Sequence, residues 1–189
     1  MRLLVAVSLL LLISTAGHTE GPHRTNSSKR ANELTLAGMR PGRDSVARAA
    51  VKHTQFVKGG SGDPEYRWED YCHNESLTVA VRDGKVSEVR VSQFIPHMIV
   101  DCFNRLPPSQ WRTGQNLAVG DPSSRVIRVY GEPDSRSPST KDGQRLELLY
   151  YAFDWAGPDV PQVMVVLCLV EKDGMPGRVV EITLAASSL

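Results

Sequence analysis

Apolar positions change their rhythm several times along the chain. Leu3 to Ile13 is an apolar run, interrupted at Ser8, that follows a single charge at Arg2 and precedes Ser14-Thr15-Ala16. Gly17 to Asn32 holds almost nothing apolar. Beyond Gly42 the rhythm becomes helical. Asp44-Ser45 is a natural helix start, and Val46, Ala49 and Ala50 follow at the spacing of one helix face. Tyr66 to Tyr71 is short and aromatic-rich, and Leu77, Val79 and Val81 alternate with small or polar residues at the period of a strand. Asp83-Gly84 is a two-residue hairpin signal leading into Val86 to Val91. The order then recurs. Asp121-Pro122, a cap followed by proline at the first helical position, precedes Val126, Val129 and Tyr130. Arg145 to Trp155 predicts a long strand stopped at Gly157-Pro158. Val163 to Glu171 predicts a second strand, Lys172 to Gly177 a turn, and Val179 to Ala185 a third strand.

The recurrence extends to individual residues. Gly84-Lys85-Val86-Ser87-Glu88-Val89-Arg90-Val91 aligns with Gly177-Arg178-Val179-Val180-Glu181-Ile182-Thr183-Leu184, and a glycine (Gly42, Gly120) precedes the helical pattern in each copy. The fold class this implies is α+β, with two tandem helix-plus-antiparallel-meander repeats packed together. The expected organisation is a signal peptide over 1–16, a disordered tail over 17–32, a first repeat lobe over 33–92, a connector over 93–115 and a second lobe over 116–189. A lobe of about 60 residues is marginal alone. The connector holds Phe94, Ile95, Met98, Ile99, Val100, Phe103 and Trp111, and is expected to cover the junction between lobes.

The apolar run at the start is too short for a permanent membrane span, which needs about 20 residues. With small residues after it, it reads as a secretory signal cleaved near Ala16, giving a periplasmic or extracellular protein without a transmembrane segment in the mature chain. The whole chain has a net charge of +1, from 22 basic and 21 acidic side chains. That balance offers no electrostatic footprint for nucleic acid. Asn26-Ser27-Ser28 and Asn74-Glu75-Ser76 match the glycosylation acceptor pattern, which matters only in a eukaryotic secretory pathway.

Gly120-Asp121-Pro122-Ser123-Ser124-Arg125-Val126, with Tyr130-Gly131-Glu132-Pro133 after it, resembles the helix and exit turn of the SmpA/OmlA outer-membrane assembly lipoproteins. Two such modules in tandem resemble the arrangement of the β-lactamase inhibitor proteins. The resemblance covers most of 117–189 and, more weakly, 34–92. It implies helices on an antiparallel sheet and a sheet surface that grips a protein. The chain departs from the lipoproteins in having no cysteine near the cleavage point to carry a lipid.

Three cysteines bear on the chemistry. Cys168 falls in an apolar strand, where a buried inert thiol is expected. Cys72 and Cys102 can close a disulfide loop of about 30 residues, contributing on the order of 3–4 kcal/mol. Alternatively, Cys72, His73, His97 and Cys102 are all residue types that zinc accepts, although their spacing is poor for it. A dyad of His73 or His97 with Asp70 or Asp101 is a further arrangement. Gly59-Gly60-Ser61-Gly62 has the composition but not the order of a nucleophile elbow, and no metalloprotease, phosphate-loop or dinucleotide pattern occurs. No catalytic residue, cofactor or metal is therefore assigned. Glu88 and Glu181 hold the same position in the two copies, either as a paired carboxylate site or as solvent-facing strand charges.

These readings converge on an exported, non-catalytic binding or envelope-assembly module that presents a sheet face to a protein partner. The alternative is a secreted enzyme or small-ligand carrier with a site between the two lobes. In the Arg145–Trp155 strand, Glu147, Leu149, Tyr151, Phe153 and Trp155 share one side, while Leu146, Leu148, Tyr150, Ala152 and Asp154 share the other. The second set has the more aliphatic start and is expected to pack on the helix. Tyr151, Phe153 and Trp155 would then form a partner-binding patch, unless all three fill the junction as core.

Overall fold

The computed structural model describes residues 35–45, 47–48, 65–94, 111–153, 161–170 and 177–187, with the backbone alone at 57–59. The described residues form eight strands, with apolar alternation clearest in the third, the fourth and the last three: β1 (Val57–Gly59), β2 (Glu65–Asp70), β3 (Glu75–Arg82), β4 (Lys85–Gln93), β5 (Ser135–Lys141), β6 (Gln144–Phe153), β7 (Gln162–Leu169) and β8 (Val179–Ala186). They form one sheet in the order β1-β2-β3-β4-β8-β7-β6-β5, antiparallel throughout. The β3–β4 and β5–β6 hairpins turn through Asp83-Gly84 and Asp142-Gly143. All four residues have φ between 51° and 75°, as the two-residue turn with matching twist demands.

This architecture corrects the α+β expectation of two packed helix-plus-meander lobes. Among the described residues the sheet dominates, and α1 (Ser123–Tyr130) is the one complete helix, with Ala47 and Arg48 also helical. The two meanders do not pack as separate bodies. Their last strands, β4 and β8, hydrogen-bond to each other and fuse them into a single sheet. Pairing satisfies two rows of backbone N–H and C=O groups that separate lobes would leave as open edges. One core cluster follows, drawing Leu77, Val79 and Val91 from one half and Val166, Ile182 and Leu184 from the other. Trp111, at the end of the expected connector, is buried in that same core.

The segments aligned in the sequence meet at this seam. Val89 faces Leu184, Val91 faces Ile182 and Arg90 faces Thr183. Since Val89 aligns with Ile182 and Val91 with Leu184, exchanging β4 and β8 leaves the register unchanged. Each half also carries a bulge: Ser87 of β4 is the extra residue opposite Ala80 and Val81 of β3, and Val180 of β8 the extra residue opposite Leu167 and Cys168 of β7. Two aspartate turns dock alike: the Val86 N–H donates to the Asp44 carbonyl at 2.8 Å, and the Val179 N–H to the Asp121 carbonyl at 2.9 Å. This is a correspondence of strands and turns within one sheet.

Helix α1 buries Val126 and Tyr130, four residues apart on one face. Its N-cap is Pro122, and the Asp121 side chain instead accepts the Ala118 N–H at 2.9 Å, closing the preceding turn. Gly131, at φ 77°, ends the helix while its N–H donates to the Ile127 carbonyl at 2.8 Å. The Tyr130 ring packs on Tyr151 and Phe153 at centroid distances of 5.9 and 6.3 Å. The helix therefore selects the Leu149–Tyr151–Phe153 side of β6 as core, reversing the expectation from aliphatic content. Aromatic rings bury more area than the aliphatic set offers, and each large side chain so buried contributes about 1.5–3 kcal/mol. Among the described residues no helix is long and apolar enough to cross a membrane.

Candidate partner-binding face

Residues opposite each other in antiparallel strands point to the same side, so the registers run on into rows across the sheet. On the core side, Leu149, Val166, Ile182, Val91, Leu77 and Trp68 make one such row, all buried. The opposite side has a different chemistry. One row reads Tyr150, Val165, Thr183, Arg90, Thr78, Arg67, and its neighbour reads Leu148, Leu167, Glu181, Ser92, Ser76, Glu69. A third reads Ala152, Val163, Ala185, Glu88, Ala80, Glu65. Over β6 and β7 this second face is apolar and half-buried, and over β8, β4 and β2 it carries charges. The Ser76 and Ser92 hydroxyls meet across β3 and β4 at 3.0 Å.

The charges are organised around Arg90. Its Nη2 donates to Glu88 Oε1 at 2.6 Å, and its Nε lies 3.8 Å from Glu181 Oε1. The other Glu181 oxygen accepts from Lys141 Nζ at 2.6 Å. The two glutamates matched in the sequence thus stand on one face, on either side of a shared guanidinium. Neither is a bare carboxylate, so the general acid–base chemistry of a free carboxylate pair does not describe them. Arg90 Nε is buried without a hydrogen bond among the described residues, and the Glu181 charge beside it compensates part of that desolvation.

The Lys141–Glu181 pair also reports the shape of this face. β5 and β8 are three strand spacings apart, about 14 Å on a flat sheet. Lys141 is offset further along β5, because Glu181 shares its row with Ser137. The two side chains meet only because the sheet curls toward this side, which makes the second face concave. The bulge at Val180 in β8 is the kind of irregularity that bends a strand and adds twist.

Two of the three expected partner-binding residues fall elsewhere. Tyr151 is 0% and Phe153 5% exposed, both against Tyr130 in the core, so the folded chain does not offer them as surface anchors. That is the core reading of these aromatics. Trp155 lies outside the described residues. So do Cys102, His97 and Asp101, and with them the Cys72–Cys102 pairing, the zinc arrangement and the second dyad. Among the described residues no group of three His, Cys, Asp or Glu is placed to hold a metal ion. His73 and Asp70 are together, with Nδ1 at 2.6 Å from Oδ2. Asp70 Oδ1 accepts the backbone N–H groups of Cys72 at 3.0 Å and His73 at 3.1 Å. Asp70 is thereby the staple of the β2–β3 turn, orienting the imidazole as it satisfies the turn's donors. Cys168 is free and buried on the core side, and burial followed by the nearby Glu147 charge pushes its thiol up to about 12.

Arg90 and Lys141 were not singled out in the sequence. Arg90 sits inside the recurring segment, two residues from Glu88 on the same strand face, which was its signal. Lys141 precedes Asp142-Gly143, the same hairpin signal as Asp83-Gly84, and that dipeptide could have located β5.

No family model matches the chain, and no curated protein does. Among solved structures, a cysteine-rich secretory protein (SAV1118) from Staphylococcus aureus subsp. aureus Mu50 aligns at a TM-score of 0.38 with 12% identity. The alignment covers 77% of this chain and 44% of that one, so the chain spans less than half the length of this neighbour. At that score the likeness carries no argument.

Proposed function

We propose that this protein is an exported, non-catalytic binding or envelope-assembly module whose concave sheet face receives a protein partner. The observation that carries the reading is the division between the faces. One is filled by a continuous core, while the other sets half-buried Leu148, Tyr150, Val165 and Leu167 beside the Glu88–Arg90–Glu181–Lys141 network. An apolar strip bordered by fixed charges supplies contact area and register together, as interfaces do. Export is supported by the Leu3–Ile13 run with small residues after it. The resemblance of 117–189 to envelope-assembly lipoproteins supports the assembly role.

The test is site-specific photocrosslinking in the native host. A crosslinking side chain at Val165 or Tyr150 is expected to capture a discrete partner. The same group at Arg128, exposed on α1, is not. Equal capture from both places, or none from the concave face, would overturn the reading.

A further inference from the structure

We infer that Lys141 and Glu181 form an ionic latch across the concave face, holding the β5–β6 hairpin curled over it and keeping Leu146 sealed. The inference rests on the reading of that face as partner-facing, and it adds how the face is held closed. Leu146 points to the concave side, in the row of Ser139 and Leu169, yet is 2% exposed and stands outside the core cluster. Its burial is therefore not the work of the core on the other side of the sheet. In the same hairpin, five residues before it, Lys141 reaches Glu181 at 2.6 Å past β6 and β7. The Glu181 side chain is 13% exposed and that of Lys141 39%, so the contact lies at the lip of the curl. Glu181 is also within 3.8 Å of Arg90, which fixes the acceptor end on the central seam. The hairpin is the movable end, because among the described residues β5 is an edge strand paired on one side alone. A partner that engages Leu146 must first replace this ion pair with contacts of its own.

The experiment reads opening directly and needs no partner. Leu146→Cys is made in the full chain, and its alkylation rate is compared with Lys141 intact, with Lys141→Met and with Lys141→Arg. Lys141 is the position varied because Glu181 has a second cation. Methionine keeps an apolar stem without the charge, so alkylation should accelerate about fivefold, the value of a contact near 1 kcal/mol. Arginine should hold the slow rate. Hydrogen exchange of the 141–148 amides, measured in the same Lys141 variants with Leu146 retained, gives the second readout should Leu146→Cys not fold. Equal rates in all three backgrounds by both readouts would overturn the latch. Photocrosslinking of the concave face could still succeed in that case. A working latch without any captured partner would instead overturn the binding reading alone.

Discussion

Gly177 shows how closely the backbone is packed where β8 begins. A Cβ there would lie 2.5 Å from the Leu169 carbonyl oxygen and 2.9 Å from Ser123 Oγ, and the first of these is backbone that cannot rotate away. Gly177→Ala should destabilise the protein by about 1–3 kcal/mol, read as a lower urea midpoint with an unchanged slope. An unchanged midpoint would mean that the strand entrance yields freely. The cysteines give a second residue-scale prediction. Because burial raises the Cys168 thiol, the folded state holds that proton to higher pH than the unfolded chain does. Its contribution to stability is complete below the ordinary thiol value and is lost as pH rises toward about 12. The alkaline fall in melting temperature should therefore be shallower in Cys168→Val, and equal slopes would refute the assignment. We propose Cys72–Cys102 as the disulfide, with Cys168 reduced. Non-reducing peptide mapping checks this, and a bridge containing Cys168 would overturn it.

At the scale of elements, β5 is the strand whose existence depends most on its neighbour. Ser135–Lys141 has no apolar alternation, and its register on β6 is what makes it a strand. The Asp142-Gly143 turn makes Lys141 and Gln144 a hydrogen-bonded pair, and bonded pairs alternate along the ladder. Pro138, opposite Glu147, therefore falls at a non-bonded position, with its ring nitrogen facing the outer edge. The missing donor interrupts the row that another chain could pair with. Pro138→Val should leave the hairpin intact and raise self-association, seen as concentration-dependent light scattering. A monomer at every concentration would show that the proline does not guard this edge.

For the molecule as a whole, the β4–β8 seam joins two meanders into one cooperative unit. Urea unfolding followed by far-ultraviolet circular dichroism and by tryptophan fluorescence should give coincident transitions. Val91→Ala, on the core side of the seam, should move both by the same amount, at a cost of about 1–3 kcal/mol. Two separated transitions would return the protein to independent lobes. The arrangement also explains why one face is committed and the other is not. The core side draws apolar residues from β2, β3, β4, β6, β7 and β8, along with α1 and the Leu36–Met39 turn. On the concave side, charges replace them across the middle strands.

Much of the local structure was legible without coordinates, because period-two alternation and Asp-Gly turns are short-range signals. β3, β4, β6, β7, β8 and α1 appear close to where the pattern put them, and the paired positions of Glu88 and Glu181 were read from the recurrence alone. What the sequence could not settle was how two similar halves combine. Their alternation is equally compatible with two packed lobes and with one sheet, since both arrangements bury the same apolar positions. The choice belongs to the backbone edges of β4 and β8, whose hydrogen-bonding groups are the same in every sequence. The side of β6 that becomes core was also decided at the tertiary level, by where α1 places Tyr130. So was the meeting of Lys141 with Glu181, because curvature accumulates over several strands and leaves no mark on any one of them.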